Sequence, residues 1–223
     1  MEELNIIIPT LESALTLSKT IECLKGNFNL YIVDGSSLDE TVNVAKKYKA
    51  EILITKANRG LQLSKGGEKI KDGWMLFLHS DTVLVEGAFS EIERFIKSND
   101  ARNKVGYFSL KFDDESVFAK IVQFAVNLRC KFFSLPYGDQ GLLIHKSYYD
   151  MIGGFNPLPI MEDVDLISRI NNKNISLIPS TAITSSKKYK KNGYIFRVVK
   201  NVTCLILFKI NIPIKYIKFI YDI

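Results

Sequence analysis

The chain has 223 residues, enough for one substantial α/β domain and short for two independent ones. Its 47% apolar and 24% charged residues exclude a disordered polymer. The net charge of +6 is carried by residues 171–223, where Asp222 is the only acid, while residues 1–170 are slightly acidic; positive charge spread over a nucleic-acid-binding face is therefore excluded.

In chain order, residues 4–8 form a short apolar run closed by Pro9, which predicts a buried strand. Ala14, Leu17, Ile21 and Leu24 recur at helical spacing, and Gly26 follows as a helix-ending residue. A second strand, residues 30–33, runs into Asp34-Gly35-Ser36-Ser37. Ser37 and Glu40 stand at capping-box spacing, which predicts a helix with Val42, Ala45 and Tyr48 turned inward. Residues 52–55 are a third strand; a polar, glycine-containing stretch separates them from a fourth at 74–78. This alternation predicts an α/β fold, Rossmann-like, with a mostly parallel central sheet and helices on both faces. Further on come a strand at 105–112, a long apolar helix at 118–133, a strand at 141–145, a short helix at 163–171 and a strand at 175–179. There is no repeat or flexible linker, so one domain is expected over residues 1–190, followed by a C-terminal extension at 191–223.

In an open parallel sheet, ligands bind beyond the carboxyl ends of the strands. The residues there are Pro9-Thr10-Leu11-Glu12, Asp34-Gly35-Ser36 and His79-Ser80-Asp81-Thr82, all expected on one rim. The first set lacks the glycines of a dinucleotide-binding turn, and Ser64-Lys65-Gly66-Gly67 lacks a P-loop frame, which argues against both. A diphosphate without a glycine cradle calls for a divalent cation on a carboxylate, a task for which Asp81 is well placed. Asp81 also suits a helix cap, with Thr82 and Glu86 behind it, and the residues alone leave these readings level. Glu162-Asp163-Val164-Asp165 by itself reads as acidic side chains favouring a helix N-terminus. Cys23, Cys130 and Cys204 make neither a zinc site nor a disulfide framework and fit a reducing compartment. No export signal or transmembrane helix is expected: the start is acidic, and apolar runs such as 202–208 fall far short of about 20 residues.

The ordered set of motifs resembles the family 2 glycosyltransferases. Pro9-Thr10-Leu11-Glu12 matches their P-x-x-N-E, Asp34-Gly35-Ser36-Ser37-Leu38-Asp39-Glu40-Thr41 their D-G-S segment, and His79-Ser80-Asp81 their D-x-D-like triplet. The likeness continues through Asn58-Arg59-Gly60-Leu61-Gln62, Pro136-Tyr137-Gly138-Asp139-Gln140-Gly141, Gly153-Gly154-Phe155 and Met161-Glu162-Asp163-Val164-Asp165-Leu166, as in a small single-domain bacterial branch. The resemblance implies a GT-A fold and an inverting, metal-dependent transfer of a sugar from a nucleoside-diphosphate donor to an acceptor hydroxyl. It implies that Pro9, Thr10 and Glu12 line the nucleotide pocket, that Asp34 binds base or ribose, and that Arg59 lies against the nucleotide or its diphosphate. Ser80 and Asp81 would stand at the diphosphate, with Asp81 on the metal (manganese or magnesium). His79 replaces the first Asp of the triplet, as a ligand better suited to manganese or as a group behind the ligands. Asp163 would be the catalytic base, with Glu162 or Asp165 as the alternatives. Tyr137, Asp139 and Gln140 would contact the sugar or acceptor, or else form an ordinary turn. Lys188 stands where relatives close an Arg and an aromatic over the diphosphate, without the guanidinium fork; a solvated basic stretch is the plain alternative.

From Ile195 onward, apolar residues alternate with Arg197, Lys200, Lys209, Lys215 and Lys218. Such a segment suits an anionic membrane surface, as on the cytoplasmic face, and equally a helix packed on the domain. Acceptors of such enzymes are often lipid-linked. Two other readings are a sugar nucleotidyltransferase, whose glycine- and arginine-rich loop is missing after the first strand, and a non-catalytic nucleotide-sugar- or membrane-binding domain, against which Asp34, Asp81 and Asp163 argue.

Overall fold

The structure is a computed structural model and describes residues 3–222. The apolar runs of the N-terminal half form β1 (Leu4–Thr10), β2 (Asn29–Asp34), β3 (Glu51–Ile54) and β4 (Trp74–Phe77), parallel and ordered β3-β2-β1-β4. β1 is buried along its whole length, and its pleat divides the core in two. Ile6 and Ile8 face a cluster with α1 (Ala14–Glu22), α2 (Thr41–Lys47) and α4 (Ala88–Ile96). Ile7 faces the other side, with α3 (Arg59–Lys69), α6 (Lys146–Met151) and α7 (Glu162–Ser168).

The second half adds antiparallel pairing. β7 (Leu142–His145) lies antiparallel to β4, and β6 (Val105–Phe112) antiparallel to β7. β8 (Ile175–Thr184) runs parallel to β6, and short β5 (Thr82–Leu84) pairs antiparallel with β8 at the edge. Among the described residues this makes one eight-stranded sheet, β3-β2-β1-β4-β7-β6-β8-β5. β8 continues past the expected end because the register slips between Phe108 and Ser109, leaving Pro179, which has no N–H to donate, in the irregularity.

Three local expectations are corrected. The stretch after β3 is helix α3, begun by Asn58, whose side chain accepts the Leu61 N–H at 3.0 Å. The capping box at Ser37 does not form: its hydroxyl donates to Asp34 and accepts the Glu12 N–H, so α2 starts at Thr41 behind Asp39. Asp81 is followed by strand β5, not by a helix, which removes the capping reading of that acid.

The chain ends in α5 (Val117–Phe133) packed against α8 (Lys187–Asn192) and α9 (Tyr194–Lys209), with α10 (Ile214–Asp222) folded back on α9. Cys204 and Ile217 bury against Ile160 of the body. Among the tail cations Arg197 and Lys200 are buried, and Lys200 donates to the Tyr221 carbonyl at 3.4 Å. No helix of the described residues is long and apolar enough to cross a membrane.

Candidate functional site

The carboxyl ends of β1 and β2 carry a closed polar network. Asp34 is fully buried and accepts from the Thr10 hydroxyl at 2.8 Å, the Ser37 N–H at 2.7 Å and the Ser37 hydroxyl at 2.6 Å. Gln62 of α3 donates to the carbonyls of Thr10 and Val33, both at 2.7 Å, and so clamps two parallel strands where they end. Pro9 is buried within β1. Glu12, in a left-handed backbone conformation with φ of 49°, is exposed and accepts the Leu38 N–H at 2.8 Å. Ser80 shares a 2.9 Å hydrogen bond with the Ser13 hydroxyl.

Beside this rim lies a cleft of about 280 Å³. The end of β4 brings His79 and Asp81 to it, the short 3-10 turn Gly138–Gln140 brings Asp139, α7 brings Asp163, and α8 brings Lys188. Arg59 and Tyr137 complete the set expected from the sequence. Of the other expected residues, Glu162 sits directly behind Arg59, and Gln140 is a brace: it donates to the Phe108 carbonyl at 3.0 Å and accepts the Tyr137 N–H at 3.2 Å. Pro9, Thr10, Glu12, Asp34 and Ser80 belong to the rim and not to the cleft lining.

Local folding sorts the acidic triplet. Met161, a non-glycine residue at φ of 60°, turns the chain sharply into α7. Glu162 points inward and pairs with Arg59, its side chain only 1% exposed. Asp165 is drawn away by Arg169 at 2.7 Å and Asn156 at 2.9 Å. Asp163 faces the cleft, one oxygen accepting the Gly138 N–H and the other the Val164 N–H, both at 2.8 Å. Gly138 has no room for a side chain, since a Cβ would lie 2.7 Å from His79 Nε2.

Burial dominates the electrostatics. It holds His79 well below the usual imidazole range, with Arg59 and Lys188 adding to the effect, so the ring is neutral. Burial pushes Asp139 up to about 6, against the pull of Arg129 and with the help of Asp163. Asp81 and Glu162 are likewise raised by burial, opposed by Lys188 and Arg59 respectively. For Arg59 burial acts downward, but Glu162 and then Asp163 carry the guanidinium above its ordinary range. Three buried polar atoms have no hydrogen-bond partner among the described residues: His79 Nε2, Asp139 Oδ1 and Glu162 Oε2. His79 and Asp139 line the cleft, which makes it the place for a polar ligand, whereas Glu162 lies sealed behind Arg59.

No three His, Cys, Asp or Glu among the described residues lie close enough to hold a metal ion by themselves. Asp81 offers a carboxylate and His79 a neutral ring, which fits a cation that takes its remaining ligands from phosphate oxygens.

Several cleft residues lie outside the motifs. Arg197 and Asn201 of α9 and Tyr221 of α10 line it; Tyr189 of α8, the aromatic beside Lys188 in the basic run 187–191, lines it too. The Arg197 guanidinium bonds the Tyr221 hydroxyl and stands 4.4 Å from that ring's centroid. Spacing held a signal here, because Arg197, Lys200 and Cys204 share one helical face and are all buried. Arg129 lies 3.5 Å over the Tyr137 ring and fixes it from behind.

The Glycosyl transferase family 2 model matches residues 5–155, a span that includes Asp34, Arg59, Asp81 and Asp139 and stops before Asp163. Among curated proteins, the chain is 27% identical over 130 residues to the poly(ribitol-phosphate) β-N-acetylglucosaminyltransferase TarP of Staphylococcus aureus (strain N315), covering 52% of this chain and 40% of TarP. It is 29% identical over 119 residues to a PGL/p-HBAD biosynthesis glycosyltransferase of Mycobacterium bovis (strain BCG / Pasteur 1173P2), covering 45% and 44%. The chain thus spans less than half the length of these relatives. Among solved structures, S. aureus TarS superposes with a TM-score of 0.62 at 15% identity, over 98% of this chain and 42% of TarS. The 1-349 portion of TarS in complex with UDP-GlcNAc gives 0.62 at 14% identity, over 82% and 58%. At such identity the likeness is one of fold, the GT-A fold. With its family model matched over more than half its length, the chain belongs to glycosyl transferase family 2.

Proposed function

We propose that this chain moves a sugar from a nucleoside diphosphate to an acceptor hydroxyl, with inversion at the anomeric carbon. The observation that carries the reading is the convergence of Asp81, Asp139 and Asp163, from three distant stretches of sequence, on one cleft that also holds Arg59 and Lys188. In this reading Arg59 and Lys188 face the diphosphate and offset its charge as it leaves. Asp163 accepts the proton of the acceptor hydroxyl, whose oxygen bonds to the anomeric carbon on the face opposite the diphosphate. The bond from that carbon to the diphosphate oxygen breaks, and the electron pair departs with the nucleoside diphosphate. Tyr137 and Asp139 meet the sugar; Thr10 and Asp34 hold the backbone of the rim on the nucleotide side, where exposed Glu12 borders the nucleotide.

Asp81, with His79 beside it, would hold a divalent cation between protein and diphosphate. Such an ion supplies neutralisation of the phosphate charge when bound. TarS has been solved with UDP-GlcNAc, which makes uridine diphosphate sugars the first donors to try. We read the acceptor as lipid-linked and residues 191–223 as the part nearest the membrane, on the strength of the basic, acid-poor C-terminal sequence.

The test is to offer the full chain a panel of nucleotide sugars with manganese or magnesium, following binding by calorimetry and release of nucleoside diphosphate. One nucleotide class should bind and be cleaved, with loss on chelation and recovery on adding the cation back. Absence of binding and release across the whole panel would refute the proposal.

A further inference from the structure

A second opening, of about 440 Å³, lies between α5 and α9. Phe118, Ile121 and Val122 form one wall and Val198, Val199 and Val202 the other. Tyr137, Asp139, Tyr189 and Asn201 border both this groove and the cleft, so the two openings adjoin at these side chains. The groove's polar side chains Arg129, Asp139 and Asn201 belong to that junction, and the walls beyond are hydrocarbon.

The outer surface continues the pattern. Phe118 is 57% exposed, Phe124 69%, Ile195 70% and Val199 57%, a collection of large apolar groups beyond what a freely soluble surface ordinarily leaves in water. Residues 116–134 and 185–221 contain no Asp or Glu, and of the lysines among them Lys120 pairs with Glu115 at 3.3 Å and Lys190 with Asp114 at 3.7 Å, while Lys131, Lys187 and Lys191 add further positive charge. An apolar groove with a basic surround complements an anionic lipid surface. It offers little to a free sugar, whose hydroxyls need polar partners along their length.

Resting on the transferase reading above, we propose that this groove holds the hydrocarbon chain of a lipid acceptor and so delivers its head-group hydroxyl to Asp163. The occupant is an amphiphile with a hydroxyl-bearing head in the cleft and a chain between α5 and α9. The bonds made and broken are those already given: hydroxyl oxygen to anomeric carbon, nucleoside diphosphate leaving with its electron pair, and the proton on Asp163.

The test uses hexyl, octyl and decyl β-D-glucopyranoside on the full chain, each below its micelle threshold, with methyl glucoside as the head-only control. Affinity should rise by roughly two- to fourfold per methylene, as expected for hydrocarbon leaving water. Ala125→Trp and Val202→Trp, which fill the groove, should each weaken decyl glucoside binding by at least about tenfold while UDP binding stays within about twofold. Affinity independent of chain length in the unaltered protein overturns the proposal without recourse to any variant. So does a dimer, seen by light scattering, that Ala125→Trp splits with no change in glucoside affinity, since a second copy then occupies the groove. Failure of the unaltered chain to bind any nucleotide sinks the transferase reading instead, whatever the glucosides do.

Discussion

Two neighbouring regions on the carboxyl side of the sheet are built on opposite principles. In the rim around Asp34, each carboxylate oxygen meets a hydroxyl or an N–H, and Gln62 ties the strand ends together. In the cleft a few residues away, His79 and Asp139 each keep a buried atom without a partner among the described residues, and Asp81 and Asp139 are raised by burial. The first region is complete in itself and serves to hold backbone in place. The second is incomplete, and a polar ligand would relieve it. The contrast teaches that acidic residues of similar appearance in sequence can divide between a closed frame and an open cleft, and that hydrogen-bond satisfaction separates them.

Substitutions can break or sharpen this division. The largest effect is expected at Asp163: Asp163→Asn should lower turnover by about 100- to 10,000-fold while donor binding survives. A variant with near-normal rate would move the base to another residue. In the rim, Asp34→Ala should instead act on stability, lowering it by about 3 kcal/mol or more in urea unfolding, because the Thr10 hydroxyl and Ser37 groups lose a charged acceptor. An Asp34→Ala protein as stable as the parent but unable to bind nucleotide would reverse the assignment of rim and cleft.

The smallest effect has the opposite sign. Asp139 is raised from an ordinary carboxyl to about 6, so the folded protein keeps its proton where the unfolded chain has lost it. Its contribution to stability is present below about pH 4, falls as the pH rises toward 6, and stays at the lower level above that. Asp139→Asn should therefore gain about 2 kcal/mol at pH 8, a gain that vanishes by pH 4, and should lose activity if Asp139 meets the sugar. Equal gains at both pH values would show that the carboxylate's charge is not the source.

The fold was legible where burial is written in hydrocarbon. The runs at 4–8, 30–33, 52–55 and 74–78 became β1 to β4 with their ends moved by a residue or two, and the helix expected at 118–133 became α5. α3 was not legible, because its buried face is largely Gly60, Gly66 and Gly67 and carries no apolar stripe. Gly66 explains the choice: a Cβ there would stand 2.4 Å from Ile7 Cγ2, so the helix can approach β1 only without one. Of the residues the motifs single out, Arg59, Asp81, Asp139 and Asp163 line one cleft, while Pro9, Thr10, Glu12, Asp34 and Ser80 stand on the rim beside it. The motifs also single out Gln140, whose position in a glycine-bounded loop does not reveal that its amide turns inward to Phe108. Arg197 escaped for the converse reason: a cation in a basic tail looks solvated until Tyr221 folds over it.

The packing of α8 and α9 on α5 bears on how the protein is made. Phe112 and Val122 are covered by Tyr189, Tyr194 and Val198, roughly seventy residues later in the chain. At ordinary ribosomal speeds the gap amounts to about 4 to 14 seconds of synthesis. During that interval a nascent polypeptide displays the apolar face of α5 bare, an invitation to chaperones and to unwanted association alike. Stalling after Phe133 would leave only β1 to β4 paired, since β7, which joins β4 to β6, and β8, which holds β5, come later, as does the helix that carries Asp163.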